Sequence, residues 1–258
     1  MARSMKTEVV FAFTYPTVTR NMPSPTPAKA EFDAYAENYD DALNQGLALT
    51  GEEKEYFAEG RVQWLRQRLE QRNYRPSSCL DFGCGTGTSA TFLRDGLGIS
   101  SYIGHDPSAE SIQQARQQTS WSEARFTAEV ESLSSERVDL AFCNGVFHHI
   151  PPEFRVAALQ AIWGALKPGG LFAFWENNRW NPVVHYMMNR VPFDQDAQML
   201  FPFQARRLLQ GNGFRVLSTD YLFVFPGALR ALRPLEPALC KLPLGGQYLV
   251  LAQKPESN

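Results

Sequence analysis

The sequence predicts an α/β fold in which a mostly parallel sheet carries helices on both faces. Three observations predict it. Short apolar runs alternate with helical stretches through the middle of the chain. A glycine-rich turn, Gly83-Cys84-Gly85-Thr86-Gly87, falls where the first apolar run hands over to a helix. An acidic residue, Asp106, closes the next run. Strands and helices alternating at this length build right-handed βαβ units, and those units make the strands parallel.

The elements follow in order. Between residues 7 and 29, Pro16, Pro23, Pro25 and Pro27 stand among Ser, Thr and Asn, a composition that resists regular structure, so residues 1–30 are expected to form a flexible leader. From Glu31 the pattern turns helical, with Phe32, Tyr35, Ala36 and Tyr39 at helical spacing. A second helix is expected from Glu52 to about Gln71, with Tyr56, Phe57, Val62, Leu65 and Leu69 on one face. Residues 31–75 would cap the sheet of a single domain reaching residue 255.

Ser78 to Cys84 reads as a buried strand, Thr88 to Asp95 as a helix and Ser101 to His105 as a second strand. A helix from Ser108 to Gln118 follows, then strands from Arg125 to Val130 and Val138 to Asn144. Pro152 to Leu166 has proline in its first turn and ends on Lys167-Pro168-Gly169-Gly170, as a helix should. Gly170 to Trp175 is apolar throughout, the signature of a strand covered on both faces. Residues 179–201 are expected to form a lid. Beyond it, Phe203 to Gln210 looks helical and Phe214 to Phe225 extended; Ala228 to Leu242 is helical but broken by prolines, and Gln247 to Gln253 extended. Residues 226–243 form an insertion before the last strand.

Composition narrows the function. The net charge of −2 and pI of about 6.1 supply no global basic field for nucleic acid. Arg61 to Arg72 is rich in arginine, but glutamate and glutamine share the run, which reads as a solvated helix face. Cys79, Cys84, Cys143 and Cys240 show neither a CxxC pair nor metal-ligand spacing, so no metal is expected and a reducing cytoplasm fits best. The first residues lack the basic start and apolar stretch of a signal peptide. No apolar run reaches the roughly 18 residues that suggest a membrane span.

The glycine turn is the most informative stretch. Glycines there permit positive φ and clear the Cβ atoms that would hold a ligand off the backbone, while the following helix presents unpaired N–H groups. Asp106 at the end of the next strand suits the two hydroxyls of an adenosine ribose. A nicotinamide dinucleotide site usually carries GxGxxG; here the spacing is Gly83-x-Gly85-x-Gly87, with Asp81 in front. A carboxylate is repelled by a pyrophosphate and attracted by an ammonium, which favours an amino-acid-bearing nucleoside.

These residues resemble the first motif of class I S-adenosylmethionine-dependent methyltransferases. Asp106 resembles their ribose-binding acid, and Ala128-Glu129-Val130-Glu131 their adenine-contacting segment, with Glu129 where Asp is commoner. Asp139 to Pro151 resembles the fourth-strand motif, and Leu166 to Gly170 the turn before the fifth strand. The likeness covers roughly Phe32 to Glu176 in the correct order, and the tail more weakly. It implies a Rossmann-like fold with a seven-stranded sheet and an N-terminal helical cap. It also implies S-adenosylmethionine as cofactor, held by Tyr39, Asp81, Gly83, Gly85, Gly87, Asp106, Pro107, Glu129, Val130 and Asn144.

Methyl transfer from a sulfonium is an in-line displacement, so the protein mainly aligns the acceptor and excludes water. His149 is the first candidate for a base or orienting group and Glu176 the second, because both sit where strands four and five end on the ligand side. Tyr35 and Tyr39 could face the sulfonium through cation–π attraction. Methionines and aromatics in the lid suggest a small apolar, aromatic, isoprenoid or lipid-linked acceptor, methylated on O, N or C. The apolar insertion leaves open a dimer contact or a peripheral membrane contact, and the chain is expected as monomer or homodimer. A cofactor-binding module without turnover and a nicotinamide oxidoreductase remain the alternatives.

Overall fold

The computed structural model describes Leu47, residues 50–190 and residues 197–256. The expected leader, the first cap helix with Tyr35 and Tyr39, and part of the lid lie outside those residues.

Helix α1 (Lys54–Glu70) leads into β1 (Ser78–Phe82), α2 (Thr88–Leu97), β2 (Ser101–His105), α3 (Ala109–Gln118) and β3 (Ala124–Thr127). Then come β4 (Val138–Asn144), α4 (Arg155–Ala165), β5 (Leu166–Asn177), α5 (Pro182–Met188), α6 (Pro202–Gly211) and β6 (Arg215–Leu222). A 3-10 stretch (Gly227–Leu235) and the short α7 (Glu236–Leu239) precede β7 (Gln247–Gln253). The seven strands form one sheet in the order β3-β2-β1-β4-β5-β7-β6. β7 runs antiparallel to both β5 and β6, and the remaining pairs are parallel.

The strands divide their side chains between two apolar layers because successive residues of a strand face opposite ways. On β5, Leu171, Ala173 and Trp175 join Val62, Leu65 and Leu69 of α1 and Leu93 of α2. Phe172 and Phe174 join Leu159 and Ile162 of α4 and Leu209 of α6 on the other side. The sheet is thus sealed on both faces, and its ligand-accessible region is the rim where the parallel strands end.

Local chemistry moved several boundaries. β3 stops at Thr127 rather than Val130: the Thr127 hydroxyl accepts from Glu129 N–H at 3.1 Å, and Val130–Ser135 winds into a 3-10 turn. The helix before β5 ends at Ala165, and Lys167-Pro168-Gly169-Gly170 belongs to the strand itself. There Lys167 Nζ lies 2.6 Å from Asp139 Oδ1, and the β4–β5 register shifts between Val138 and Leu140. The expected extension to Phe225 ends at Leu222, because Phe223 turns left-handed at φ 63°.

Helix α1 is tied to the far edge of the sheet by one carboxylate. Asp220 of β6 is fully buried and accepts from Trp64 Nε1 at 3.2 Å and Arg68 Nε at 2.7 Å, with Lys241 Nζ on its other oxygen. Asp220→Ala should therefore strand Trp64 and Arg68 and lower the free energy of unfolding by about 3 kcal/mol in urea titration. A loss within about 0.5 kcal/mol would mean that the cap is held elsewhere.

Candidate active site

The glycine turn caps β1. Gly83 and Cys84 N–H both donate to His105 O, at 2.7 and 3.0 Å, which binds the turn to the end of β2. Gly85 adopts φ 52°, and a Cβ built there points into open space. Its N–H donates to Asp106 Oδ2 at 2.9 Å, while Asp106 Oδ1 accepts from Ser108 N–H at 3.0 Å. Ser108 in turn caps α3, accepting from Ser111 N–H. Two backbone donors thus fix a half-buried carboxylate beside an open backbone bend. Gly83 is crowded instead: a Cβ there would come within 2.2 Å of Val146 Cγ2, so the loop after β4 leans directly on the turn.

Asp81 sits deeper than the turn. Its carboxyl is 2% exposed and accepts from the Tyr102 hydroxyl at 2.8 Å. Burial raises its pKa to about 7; the Tyr102 hydrogen bond opposes that, Asp106 adds to it and Arg61 pulls the other way. Sequence reasoning put Asp81 beside a bound ammonium; the structure encloses it and gives one oxygen to Tyr102. Pro107 is exposed next to Asp106, and Glu129 and Val130 are exposed just past β3.

The ends of β4 and β5 carry the second group. Asn144 closes β4, and its Oδ1 is buried with no hydrogen-bond partner among the described residues. Glu176, expected as an acceptor-facing carboxylate, is fully buried instead. Its Oε1 accepts from Phe147 N–H at 2.8 Å and His148 N–H at 3.3 Å, and its Oε2 lies 2.6 Å from His148 Nδ1. The reason is positional: Glu176 sits one step before the strand end, where the β4 loop folds over it. The His149 ring lies tilted against that of His148, with ring centroids 4.1 Å apart.

Both histidines and Asn144 line a cavity of about 520 Å³. A polar relay across four elements lines it: Arg61 donates to Gln247 at 3.0 Å, Gln247 donates to Asn177 at 3.2 Å, and Asn177 reaches Met188 Sδ at 3.6 Å. Its walls are apolar, with Tyr56 and Phe57 from α1, Val184 and Met188 from α5, and Phe223 and Phe225 from the segment after β6. Of the segment 179–201, α5 lines the chamber. The insertion contributes its first residue, Pro226, and Arg233, which reaches Glu52 at 2.7 Å.

Of the residues singled out from sequence, Asn144 and His149 meet at this chamber, and Asp106 and Gly85 meet at the adjoining turn. Tyr39 lies outside the described residues. Sequence reasoning passed over the pairing of His148 with Glu176, which spans 28 positions, and over Gln247 and Phe223; it read Arg61 as part of a solvated helix face, whereas Arg61 is buried against Gln247. The doubled histidine was the available signal for the first; nothing local marked the others. Among the described residues, no group of three or more His, Cys, Asp or Glu could hold a metal ion, and no helix is long and apolar enough to cross a membrane.

A sheet of this order, with a glycine turn after β1 and an acid after β2, defines a Rossmann-like nucleoside-binding fold of the class I methyltransferase type. Residues 80–172 match the family described as "Methyltransferase domain". Over those residues the chain is similar to a methyltransferase domain. It is similar to trans-aconitate 2-methyltransferase of Rhodopseudomonas palustris (strain BisA53), 30% identical over 46% of this chain and 46% of the relative. The same enzyme of Azoarcus sp. (strain BH72) is 28% identical over 55% of this chain and 57% of the relative. The matches thus span about half the length of these relatives. Among solved structures, the plantazolicin methyltransferase BpumL in complex with a pentazolic desmethylPZN analog and SAH shares the fold. Its TM-score is 0.62 at 14% identity, covering 89% of this chain and 96% of that one. A complex between the Haloferax volcanii Trm112 methyltransferase activator and the putative methyltransferase gives a TM-score of 0.59 at 20% identity, covering 88% and 98%.

The raised pKa of Asp81 sets a pH dependence. Because the folded protein holds this proton up to about pH 7 and the unfolded chain releases it near 4, Asp81 withdraws stability as pH rises through that window. Asp81→Asn should accordingly be more stable than the native protein, with a gain larger at pH 8 than at pH 4 in urea unfolding. An equal effect at both values would contradict the burial argument.

Proposed function

We propose that the protein is an S-adenosylmethionine-dependent methyltransferase acting on a small molecule. The observation that carries this reading is the Gly85–Asp106 hydrogen bond, which sets a carboxylate beside a backbone bend whose Cβ space is empty. The unpartnered Asn144 Oδ1 between that bend and the chamber is a second feature that suits a polar ligand.

In this reading Asp106 receives the ribose hydroxyls, and Gly83, Gly85 and Gly87 let the ligand approach the backbone. Pro107, Glu129 and Val130 flank the base. Asn144 belongs to the amino-acid end, with Asp81 enclosed behind the turn and Tyr39 as a residue of the cap. S-adenosylmethionine supplies an activated methyl group, so the chain's own work is alignment and exclusion of water. α1, α5 and the segment after β6 perform it by closing the chamber on three sides.

The acceptor is read from the chamber. Trans-aconitate, named for the relatives, is a small polyacid; the lining here joins the cations Lys54, Arg61 and Arg233 to a wall of Tyr56, Phe57, Val184, Met188, Phe223 and Phe225, with Arg233 engaged by Glu52. That lining favours an acceptor with a substantial apolar body.

Titration calorimetry tests the reading. The native protein should bind S-adenosylmethionine and S-adenosylhomocysteine; Asp106→Ala should weaken both by roughly ten- to a hundredfold, as lost charge-assisted hydrogen bonds do. Gly85→Val should abolish binding while the circular dichroism spectrum stays native. Unchanged affinity in Asp106→Ala, or tight binding of NAD(H) in place of the sulfonium, would overturn it.

A further inference from the structure

We infer that the protein docks on an anionic lipid surface through one face, made by residues 179–190 and 226–244, with the edge of the chamber on that face. The docking is independent of the chemistry proposed above. Two observations carry it: where the exposed apolar side chains lie, and which charges stand among them.

Twelve large apolar side chains are exposed among the described residues, and eight of them belong to these two segments. Single exposed apolar residues are ordinary, whereas their concentration on one face marks a contact. Leu229, Leu232, Leu235, Leu242 and Leu244 come from the insertion, each between 41% and 55% exposed. Leu232 and Leu235 fall in one row of the 3-10 stretch, because three residues make one turn there, with Leu229 at the bend before them. Trp180, Val183 and Tyr186 come from α5 and the turn ahead of it. The two segments are joined directly: Asn181 Nδ2 donates to Leu244 O at 3.0 Å, and Asn178 Nδ2 to Pro243 O at 3.1 Å. Val183 is 54% exposed and also lines the chamber, as does Pro226 at the start of the insertion. The apolar patch therefore meets the chamber at its edge.

The charges among these side chains are nearly all of one sign. Arg179, Arg190, Arg230, Arg233 and Lys241 stand in the two segments against one acid, Glu236, on a chain whose net charge is −2, so the basic excess is local to this face. Glu236 is turned inward, its Oε1 accepting from Val224 and Phe225 N–H at 3.1 and 2.9 Å. Arg233 and Lys241 have carboxylate partners, Glu52 and Asp220. Arg179, Arg190 and Arg230 are exposed, and the first two lie over the rings of Phe201 and Tyr186. Such a face seats on a bilayer with its leucines among the acyl chains, its Trp and Tyr at the boundary and its long cationic side chains reaching the headgroups. Anionic headgroups attract the cations, and each one near the surface adds to the attraction. A second copy of the chain fits less well, because a two-fold contact sets the same patch against itself and brings like charges together.

The test is co-sedimentation of the full chain with vesicles of phosphatidylglycerol and phosphatidylcholine in equal parts, compared with vesicles of phosphatidylcholine alone. Native protein should pellet with the anionic vesicles roughly tenfold more tightly than with the neutral ones, and added salt should weaken the binding. Leu232→Asn combined with Leu235→Asn, and separately Arg230→Glu, should each weaken it roughly tenfold. Both variants alter exposed positions outside the chamber, so their urea midpoints and affinity for S-adenosylhomocysteine should stay native. Lipids brominated on their acyl chains should quench the tryptophan fluorescence of the native protein, and much less that of Trp180→Phe. Native protein left in the supernatant, or binding that both variants leave unchanged, would overturn the inference. A dimer in sedimentation velocity that the paired leucine substitutions dissociate would give the face to a second copy and overturn it as well. Vesicle binding by a protein that takes up no S-adenosylhomocysteine would leave the docking standing and overturn the methyltransferase reading alone.

Discussion

The hydrogen bond from Gly85 N–H to Asp106 Oδ2 joins the ends of β1 and β2, and the rest of the site is arranged around it. A parallel sheet covered on both faces exposes little besides its strand ends, so any ligand chemistry has to be built from the loops that leave them. Here the first loop is a glycine bend and the second begins with an acid. Their mutual bond fixes the carboxylate at the rim. Val146, pressed on Gly83, then carries the same constraint across to the end of β4.

The consequence is a division of labour along the rim. The β1–β2 side carries backbone donors and a fixed acid, which suit a nucleoside. The β4–β5 side carries Asn144, the histidine pair and the buried Glu176, which suit chemistry on a second molecule. The chamber over that second side is closed by segments far apart in sequence. α1 holds its place through Asp220 on the distant edge strand, and α5 begins just after Asn178, whose side chain donates to Pro243 O and Gly245 O. The chamber is thus assembled by the parts of the chain least like a repeating βαβ pattern, which is where differences between proteins of one fold are free to arise.

Much of the fold was legible in the sequence because its signals are local. The run Leu80 to Thr88 combines strand, bend and helix start in a few residues, and β2 and β4 were bounded as expected because apolar runs and polar breaks coincide there. The parts that were not legible depend on distant partners. Lys167 to Gly170 has the composition of a helix terminator, yet Asp139 draws Lys167 into the sheet and the glycines are spent on a shifted register. Phe223 reads as one more residue of an extended apolar stretch; its left-handed turn is imposed by Gly246, Glu236 and the gap at Gly60. Glu176 reads as a candidate base or orienting group at a strand end, and only the fold of the β4 loop shows that it faces His148.

The account stands on a nucleoside seated at the glycine bend with its sulfur toward the chamber. The most direct measurement is a crystal structure grown with S-adenosylhomocysteine. The account predicts ribose oxygens within hydrogen-bonding distance of Asp106 and the sulfur on the side of Asn144 and His148. Density for the nucleoside elsewhere on the protein, or a bend between Gly83 and Gly87 that remains empty at saturating ligand, would contradict it.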